Sequence, residues 1–371
     1  MKLKMDCRFF RQDKPCIFHK KTGIKCRECN HYYPVAFKIL IIKLDAIGDV
    51  LRTTSILLPL KAKYPKSHIT WITLKPAKDI FLGNDLVDNV LDAQDVNTLA
   101  RLMIEKFNLV INLDAAWKSS ILASIAKAAK KKGYIFHQEG YVVPKNEEEK
   151  KWFLMGAFDD VKKANTKTYQ YLMLKILGLE DKKHKIILNL LPEEAEFAKK
   201  FAQFNNLGNK PVIGLNTGSS SRWPQKQWNE KEVIHFIDIL NKNLKVNILL
   251  FGGVEERLRN SRIIKKVKSK IIDTGCDNTL RDFFALLSLC DILVTSDTLA
   301  LHAGCALGKK IIALFGPTSS SEIDLYGKGE KITPGLDCIC CYKTSCDKKI
   351  TCMDIIKAED VFNAVKKMLP E

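Results

Sequence analysis

Phe37-Lys-Ile-Leu-Ile-Ile-Lys-Leu-Asp-Ala-Ile-Gly-Asp49 is the stretch of this 371-residue chain on which the reading of the fold turns. Phe37 to Leu44 is a β-rich, almost unbroken apolar run. The loop Asp45-Ala-Ile-Gly-Asp49 follows, and the chain then reads as helix to about Lys63. An apolar strand passing through a glycine-containing turn into a helix is the opening unit of a parallel sheet covered on both faces. Ile69 to Leu74 and Leu109 to Leu113 read as further strands, and Ser119 to Ala129 as a helix.

Further along, charge thickens between Lys145 and Lys151 and again around Glu180 to Lys185. A polar helix follows Pro192, and Phe204 to Pro211 has the turn-rich composition of a linker. The strand–helix rhythm then restarts, with strands expected at Val212–Leu215, Val246–Phe251, Ile271–Asp273, Ile292–Thr295 and Ile311–Phe315. Two successive α/β units predict two Rossmann-like domains facing a cleft. The expected organisation is a Cys-rich arm over 1–36, one lobe over 37–203, a second over 204–337, and a Cys-containing segment with a helix over 338–371. In such sheets ligands gather at the carboxyl ends of the strands, so the residues directly after each strand carry the information.

In the first lobe that place belongs to Gly48 and Asp49, and Asp49 reads equally as a helix-start acid or as a catalytic carboxylate. In the second lobe, Asn216-Thr-Gly-Ser-Ser-Ser221 is small and hydroxyl-rich, leaving backbone N–H groups free for phosphate. Arg222, Trp223 and Lys226 follow with two cations and an aromatic surface. Gly252-Gly253 ends another strand, with Glu255 and Glu256 placed to accept from ribose hydroxyls or simply to favour a helix start. Thr295-Ser-Asp-Thr-Leu-Ala-Leu-His302 puts Asp297 or Thr298 at a helix cap and His302 about one turn inside. Phe315-Gly-Pro-Thr-Ser-Ser-Ser321 is a third turn suited to phosphate. There is no Walker A sequence, no H-E-x-x-H, no G-x-S-x-G, and no Asp-x-Asp at a strand end to hold a divalent metal. A diphosphate bound here would be neutralised by helix dipoles and basic side chains.

In this order the pieces Ile41–Thr54, Trp223-Pro, Gly252-Gly253, Ser296–His302 and Phe315–Thr318 resemble glycosyltransferase family 9, the ADP-heptose:lipopolysaccharide heptosyltransferases. The resemblance covers roughly residues 37–370. It implies a GT-B fold, an acceptor-binding first lobe, a nucleotide-sugar-binding second lobe, and inversion at the anomeric carbon without a metal. By the same resemblance Asp49 matches the family's general base. Asp297, Thr298 and His302 match its donor motif, and Glu256 an acidic position that contacts the nucleoside. The leaving-group charge falls to the backbone of Thr217 and Gly218, to Thr318 and to a cation, and Ser219, Gly252 and Gly316 complete the expected nucleotide-sugar site. Members often carry Lys two residues before the Trp-Pro; here that position is Ser221, and Arg222 or Lys226 is left to supply the charge.

Sixty Lys and Arg against 42 Asp and Glu leave a formal charge of +18. That surplus fits an anionic partner, either a phosphorylated or lipid-linked saccharide acceptor or an anionic membrane surface, and equally fits a solvated lysine-rich exterior. No run approaches the ~20 uninterrupted apolar residues of a membrane span, and the first residues lack a secretory apolar core. The expectation is a cytoplasmic protein, peripheral at most on the inner membrane.

Twelve cysteines are clustered rather than scattered. Cys7, Cys16, Cys26 and Cys29 make a candidate structural set for zinc or an iron–sulfur cluster, with no cofactor needed for catalysis. Cys338, Cys341, Cys346 and Cys352 form a second candidate set, whereas Cys276, Cys290 and Cys305 read as core thiols. Two rivals stand beside the transferase: a GT-B nucleotide-sugar epimerase and a zinc-dependent nucleic-acid-binding protein. No basic stripe interleaved with aromatics supports the latter, and no nucleic acid is expected as partner.

Overall fold

The computed structural model describes residues 3–180 and 184–369. Asp181 to Lys183, inside the charged stretch noted above, lie outside the described residues, as do the ends of the chain. The chain forms two compact units. One comprises Met1–Asp45, Ser55–Lys150 and Met173–His184; the other comprises Ala46–Thr54, Lys151–Leu172 and Lys185–Glu371. A single cut between residues 203 and 204 therefore does not describe them. The helix Pro192–Phe204 belongs to the second unit, where Glu194 takes two hydrogen bonds from buried Arg281, at 2.6 and 2.5 Å.

The first unit is built on a parallel sheet of β1 (Phe37–Ile42), β2 (Ser67–Thr73), β3 (Asn89–Asp92), β4 (Lys106–Asn112) and β5 (Lys127–Gly133), in the order β3-β2-β1-β4-β5. Ile39 to Ile42 are fully buried because β1 is central and covered on both faces. Leu40, Ile42, Ile72, Phe107 and Val110 pack with Ala123 in one core cluster. A buried Lys43–Asp114 ion pair joins the chain just beyond β1 and β4. β5 corrects the sequence reading: the helix ends at Ile125, and the lysine-rich run after it is an edge strand paired with β4. An edge strand needs no apolar alternation, and charge on it resists further pairing. A two-stranded ribbon, β6 (Ile135–Phe136) and β7 (Val142–Val143), follows.

The arm that precedes β1 has no buried residue between positions 3 and 36. It is held by Arg8, whose Nε donates to Asp88 at 2.5 Å and whose Nη2 donates to the Asp85 carbonyl at 2.7 Å. Phe18 stacks on His31 and meets Phe9 edge-on. Cys7, Cys16, Cys26 and Cys29 are free thiols. Among the described residues no group of three or more His, Cys, Asp or Glu side chains is placed to hold a metal ion. Aromatic stacking and the Arg8 hydrogen bonds are contacts that this arm makes. No helix among the described residues is long and apolar enough to cross a membrane.

The second unit carries β8 (Val212–Asn216), β9 (Asn247–Phe251), β10 (Ile272–Asp273), β11 (Ile292–Ser296), β12 (Lys310–Leu314) and β13 (Gly329–Ile332), all parallel, in the order β10-β9-β8-β11-β12-β13. This is the doubly wound order, with its switch between β8 and β11. The C-terminal helix Ala358–Met368 closes one face, its Val361 and Val365 sharing a core with Phe236, Ile237 and Leu240. The segment Ala46–Thr54 packs with this unit, bringing the helix Ile47–Thr53 against the helix Leu299–Ala306.

Candidate functional site

A pocket of about 780 Å³ opens in the second unit where β8, β9, β11 and β12 end and the helix Ile47–Thr53 approaches. The approach is close at Gly48. A Cβ there would stand 3.2 Å from His302 Cδ2 and 3.4 Å from Leu299 Cα. One helical position on, Asp49 is 36% exposed and pairs at 2.8 Å with Arg52, three residues later on the same face. Arg52 is mostly enclosed, its guanidinium lying 3.9 Å from the centroid of the Tyr169 ring, whose hydroxyl meets Thr53 Oγ1 at 2.6 Å.

Charge is concentrated in this space. Burial opposes the Arg52 cation, but the fields of Asp49, Tyr169, Glu322 and Asp297 outweigh it and raise the guanidinium's pKa. Burial would likewise lift Asp297, yet Lys226, His302 and Arg52 hold its carboxyl below the ordinary value. Lys226 Nζ donates to both Asp297 Oδ2 and the Asp297 carbonyl, at 2.9 and 3.0 Å. His302 is pushed down to about 4 by burial and by Arg52, against the pull of Asp297 and Asp49, so its ring is neutral at pH 7.

The loop after β8 is strained at Ser220, which holds φ at +65°, and the Ser221 N–H donates to Glu255 at 2.6 Å. Asn216 Nδ2 ties the loop to the next strand end through Thr295 and Thr298. Thr298 is the first residue before the helix Leu299–Ala306, but neither its side chain nor that of Asp297 caps that helix by a hydrogen bond. Among the described residues, three side-chain atoms lining the pocket are buried without a partner: Arg52 Nε, Ser219 Oγ and Thr318 Oγ1. Burying a hydrogen-bonding atom unsatisfied costs about 1–3 kcal/mol, so each favours a ligand that completes it.

Of the residues singled out from sequence, Asp49, Gly218, Ser219, Arg222, Lys226, Gly252, Glu256, Asp297, Thr298, His302 and Thr318 line this one pocket. Thr217 and Gly316 do not. The Thr217 hydroxyl is spent on Asn260 at 2.6 Å, holding β8 to the helix Arg257–Lys266. Gly316 is small because a Cβ there would collide with Cys352 and stand 3.0 Å from Met353 Sδ. Glu256 is buried and accepts from Gly253 N–H at 3.0 Å, bracing the turn after β9. Arg222 is exposed beside Trp223, whereas Lys226 is mostly enclosed and committed to Asp297. Arg52, Glu322 and Tyr342 also line the pocket and were not singled out. The i,i+3 spacing from Asp49 could have found Arg52. Nothing in strand rhythm points to Tyr342, which arrives from the cysteine-containing segment near the C-terminus.

The profile of glycosyltransferase family 9 (heptosyltransferase) matches residues 96–351, more than two thirds of the chain. Lipooligosaccharide heptosyltransferase 2 of Haemophilus influenzae is 25% identical over 308 residues, covering 76% of this chain and 84% of its own. The protein of the same name from Campylobacter jejuni is 23% identical, over 90% of this chain and 98% of its own. Among solved structures, the family 9 glycosyl transferase of Veillonella parvula superposes with a TM-score of 0.73 at 21% identity, covering 90% of this chain and 97% of its own. The E. coli ADP-heptose lps heptosyltransferase II superposes at 0.66 with 16% identity, covering 89% and 98%. With two Rossmann-like units of the GT-B class and a profile match of this extent, the chain belongs to glycosyltransferase family 9 (heptosyltransferase) and is a glycosyl-transferring enzyme.

Proposed function

We propose that this enzyme moves a heptose from ADP-heptose to a lipopolysaccharide-core saccharide, with inversion and without a catalytic metal. The observation that carries the reading is the meeting of Asp49, the Lys226–Asp297 pair and two unpartnered buried hydroxyls, Ser219 Oγ and Thr318 Oγ1, in one pocket. The hydroxyls and the loop after β8 suit a diphosphate, and Lys226 with the start of the helix Leu299–Ala306 offsets its charge. Asp49 takes the proton of the acceptor hydroxyl as that oxygen attacks the anomeric carbon. The bond from that carbon to the phosphate oxygen breaks, and ADP leaves with the electron pair. Attack opposite the leaving group inverts the centre.

His302, neutral and packed against Gly48, shapes the space between base and donor. The first unit takes the acceptor, and the +18 charge suits a phosphorylated, lipid-linked one on an anionic inner-leaflet surface. Thermal denaturation against ADP, UDP, GDP and ADP-heptose tests the donor. A ligand at a hundred times its Kd stabilises by about 2.7 kcal/mol. ADP and ADP-heptose are expected to raise Tm and UDP and GDP to leave it unchanged; no shift with any of the four removes the reading.

A further inference from the structure

The cysteine-containing segment after residue 337 reaches back into the pocket through a single side chain. Cys340 N–H donates to the Gly316 carbonyl at 2.9 Å and Tyr342 N–H to the Pro317 carbonyl at 2.8 Å, fastening this segment along the turn after β12. Cys340 and Tyr342 both hold positive φ, +57° and +51°. Non-glycine residues adopt that conformation at a cost, and it persists only where surrounding contacts fix it. Here it delivers the Tyr342 ring to the pocket wall, with Lys162 Nζ 3.9 Å from the ring centroid on one side and Trp223 edge-on at 6.2 Å.

The Tyr342 hydroxyl accepts from Ser319 N–H and donates to Glu322 Oε1, both at 3.1 Å. Glu322 is thereby fixed at one oxygen, and Tyr169 N–H holds its backbone carbonyl at 2.9 Å. Among the described residues, Oε2 of Glu322 accepts no hydrogen bond. The residue is only 8% exposed and lines the pocket near Arg52. Burial raises its pKa, with Arg52 and the Tyr342 hydroxyl pulling the other way. A carboxyl so enclosed, oriented at one oxygen and open at the other, is costly unless a polar partner arrives.

We propose that Glu322 reads the sugar of the donor, its free oxygen accepting from sugar hydroxyls, and that Tyr342 is the residue that positions it. The inference rests on the donor reading of the pocket given above. It assigns the C-terminal cysteine segment a part in substrate selection: without this segment Glu322 loses the partner that orients it. A site built around a hydroxyl acceptor discriminates strongly against ligands that lack the hydroxyl, because its own polar group is then left unpaired.

Isothermal titration of ADP and of ADP-heptose into wild type, Glu322→Gln and Tyr342→Phe tests this. The amide of Gln keeps the shape while removing the charge that strengthens the hydrogen bond, a loss of about ten- to a hundredfold in affinity. Glu322→Gln is expected to bind ADP as wild type does and to lose about tenfold or more of its ADP-heptose affinity. Tyr342→Phe should lose a smaller part of the same discrimination with ADP binding unchanged, since only the orientation of Glu322 is relaxed. Unchanged ADP binding shows that each variant is folded. A Glu322→Gln protein that keeps the wild-type ratio of ADP-heptose to ADP affinity overturns the assignment while the donor reading stands. Wild-type protein that binds neither ligand overturns both.

Discussion

Arg52 and His302 hold different charge states within one small volume, and each follows from its neighbours. For His302 the consequence is measurable. Its folded pKa, about 4, lies below the ordinary 6.5, so between those values the unfolded chain binds more protons than the folded one. The contribution to stability is therefore complete above about pH 6.5 and is lost as pH falls towards 4, amounting to roughly 3 kcal/mol over the window. Chemical denaturation at pH 7.5 and pH 4.5 is expected to show wild type losing up to that much more than His302→Gln; equal losses would contradict it. Lys226→Met leaves the Asp297 carboxyl enclosed without its cation, and about 1–3 kcal/mol of stability should go with it, measured by urea unfolding. At this scale the sequence was informative in the turns and helix starts beyond the strands, where Asp49, Ser219 and Asp297 come to line one pocket. Thr217 and Gly316 lie off the pocket wall, the Thr217 backbone N–H donating to the Phe251 carbonyl at 3.3 Å and Gly316 lying under Cys352, arrangements that the sequence does not disclose.

Among elements, the contact between the helices Ile47–Thr53 and Leu299–Ala306 decides whether Asp49 reaches the pocket. Gly48→Ala must displace His302 or Leu299 by a few tenths of an ångström. Overpacking of this kind costs about 1–3 kcal/mol. The variant is expected to lower Tm and to weaken transfer more than ADP binding, because Asp49, the proposed base, moves and the loops proposed to hold the phosphates do not. Wild-type transfer rates in this variant would mean that the helix contact does not set the position of Asp49. The central strands were readable in advance since burial on both faces makes them continuous apolar runs, as in Phe37–Leu44. β3, β5 and β13 were not, because edge strands take their structure from the neighbour they pair with. The run Lys127-Ala-Ala-Lys-Lys-Lys has a composition that suits a helix, and only β4 makes it a strand.

For the molecule as a whole, two features stand outside the sheets. The arm over residues 3–36 has no core of its own, and segments this small need some external fastening. Arg8, bridging to Asp88 and Asp85, is one such fastening. Arg8→Ala is expected to speed tryptic cleavage between residues 11 and 27 while leaving the main unfolding transition nearly in place; an unchanged cleavage rate would show that the arm is held otherwise. The two-unit α/β organisation was legible from the restart of the strand rhythm at Val212, but the discontinuity of the units was not. That residues 46–54 pack with the second unit depends on the fit of Gly48 against His302, a contact 254 positions apart in the chain.

Asp49 is proposed as the base that activates the acceptor hydroxyl, and transfer by Asp49→Asn measured beside its ADP affinity tests that role most directly. Loss of a positioned general base lowers a rate by about 10²–10⁴-fold. The expected result is transfer from ADP-heptose reduced by that order with ADP binding close to wild type. Transfer at the wild-type rate in Asp49→Asn would contradict the account.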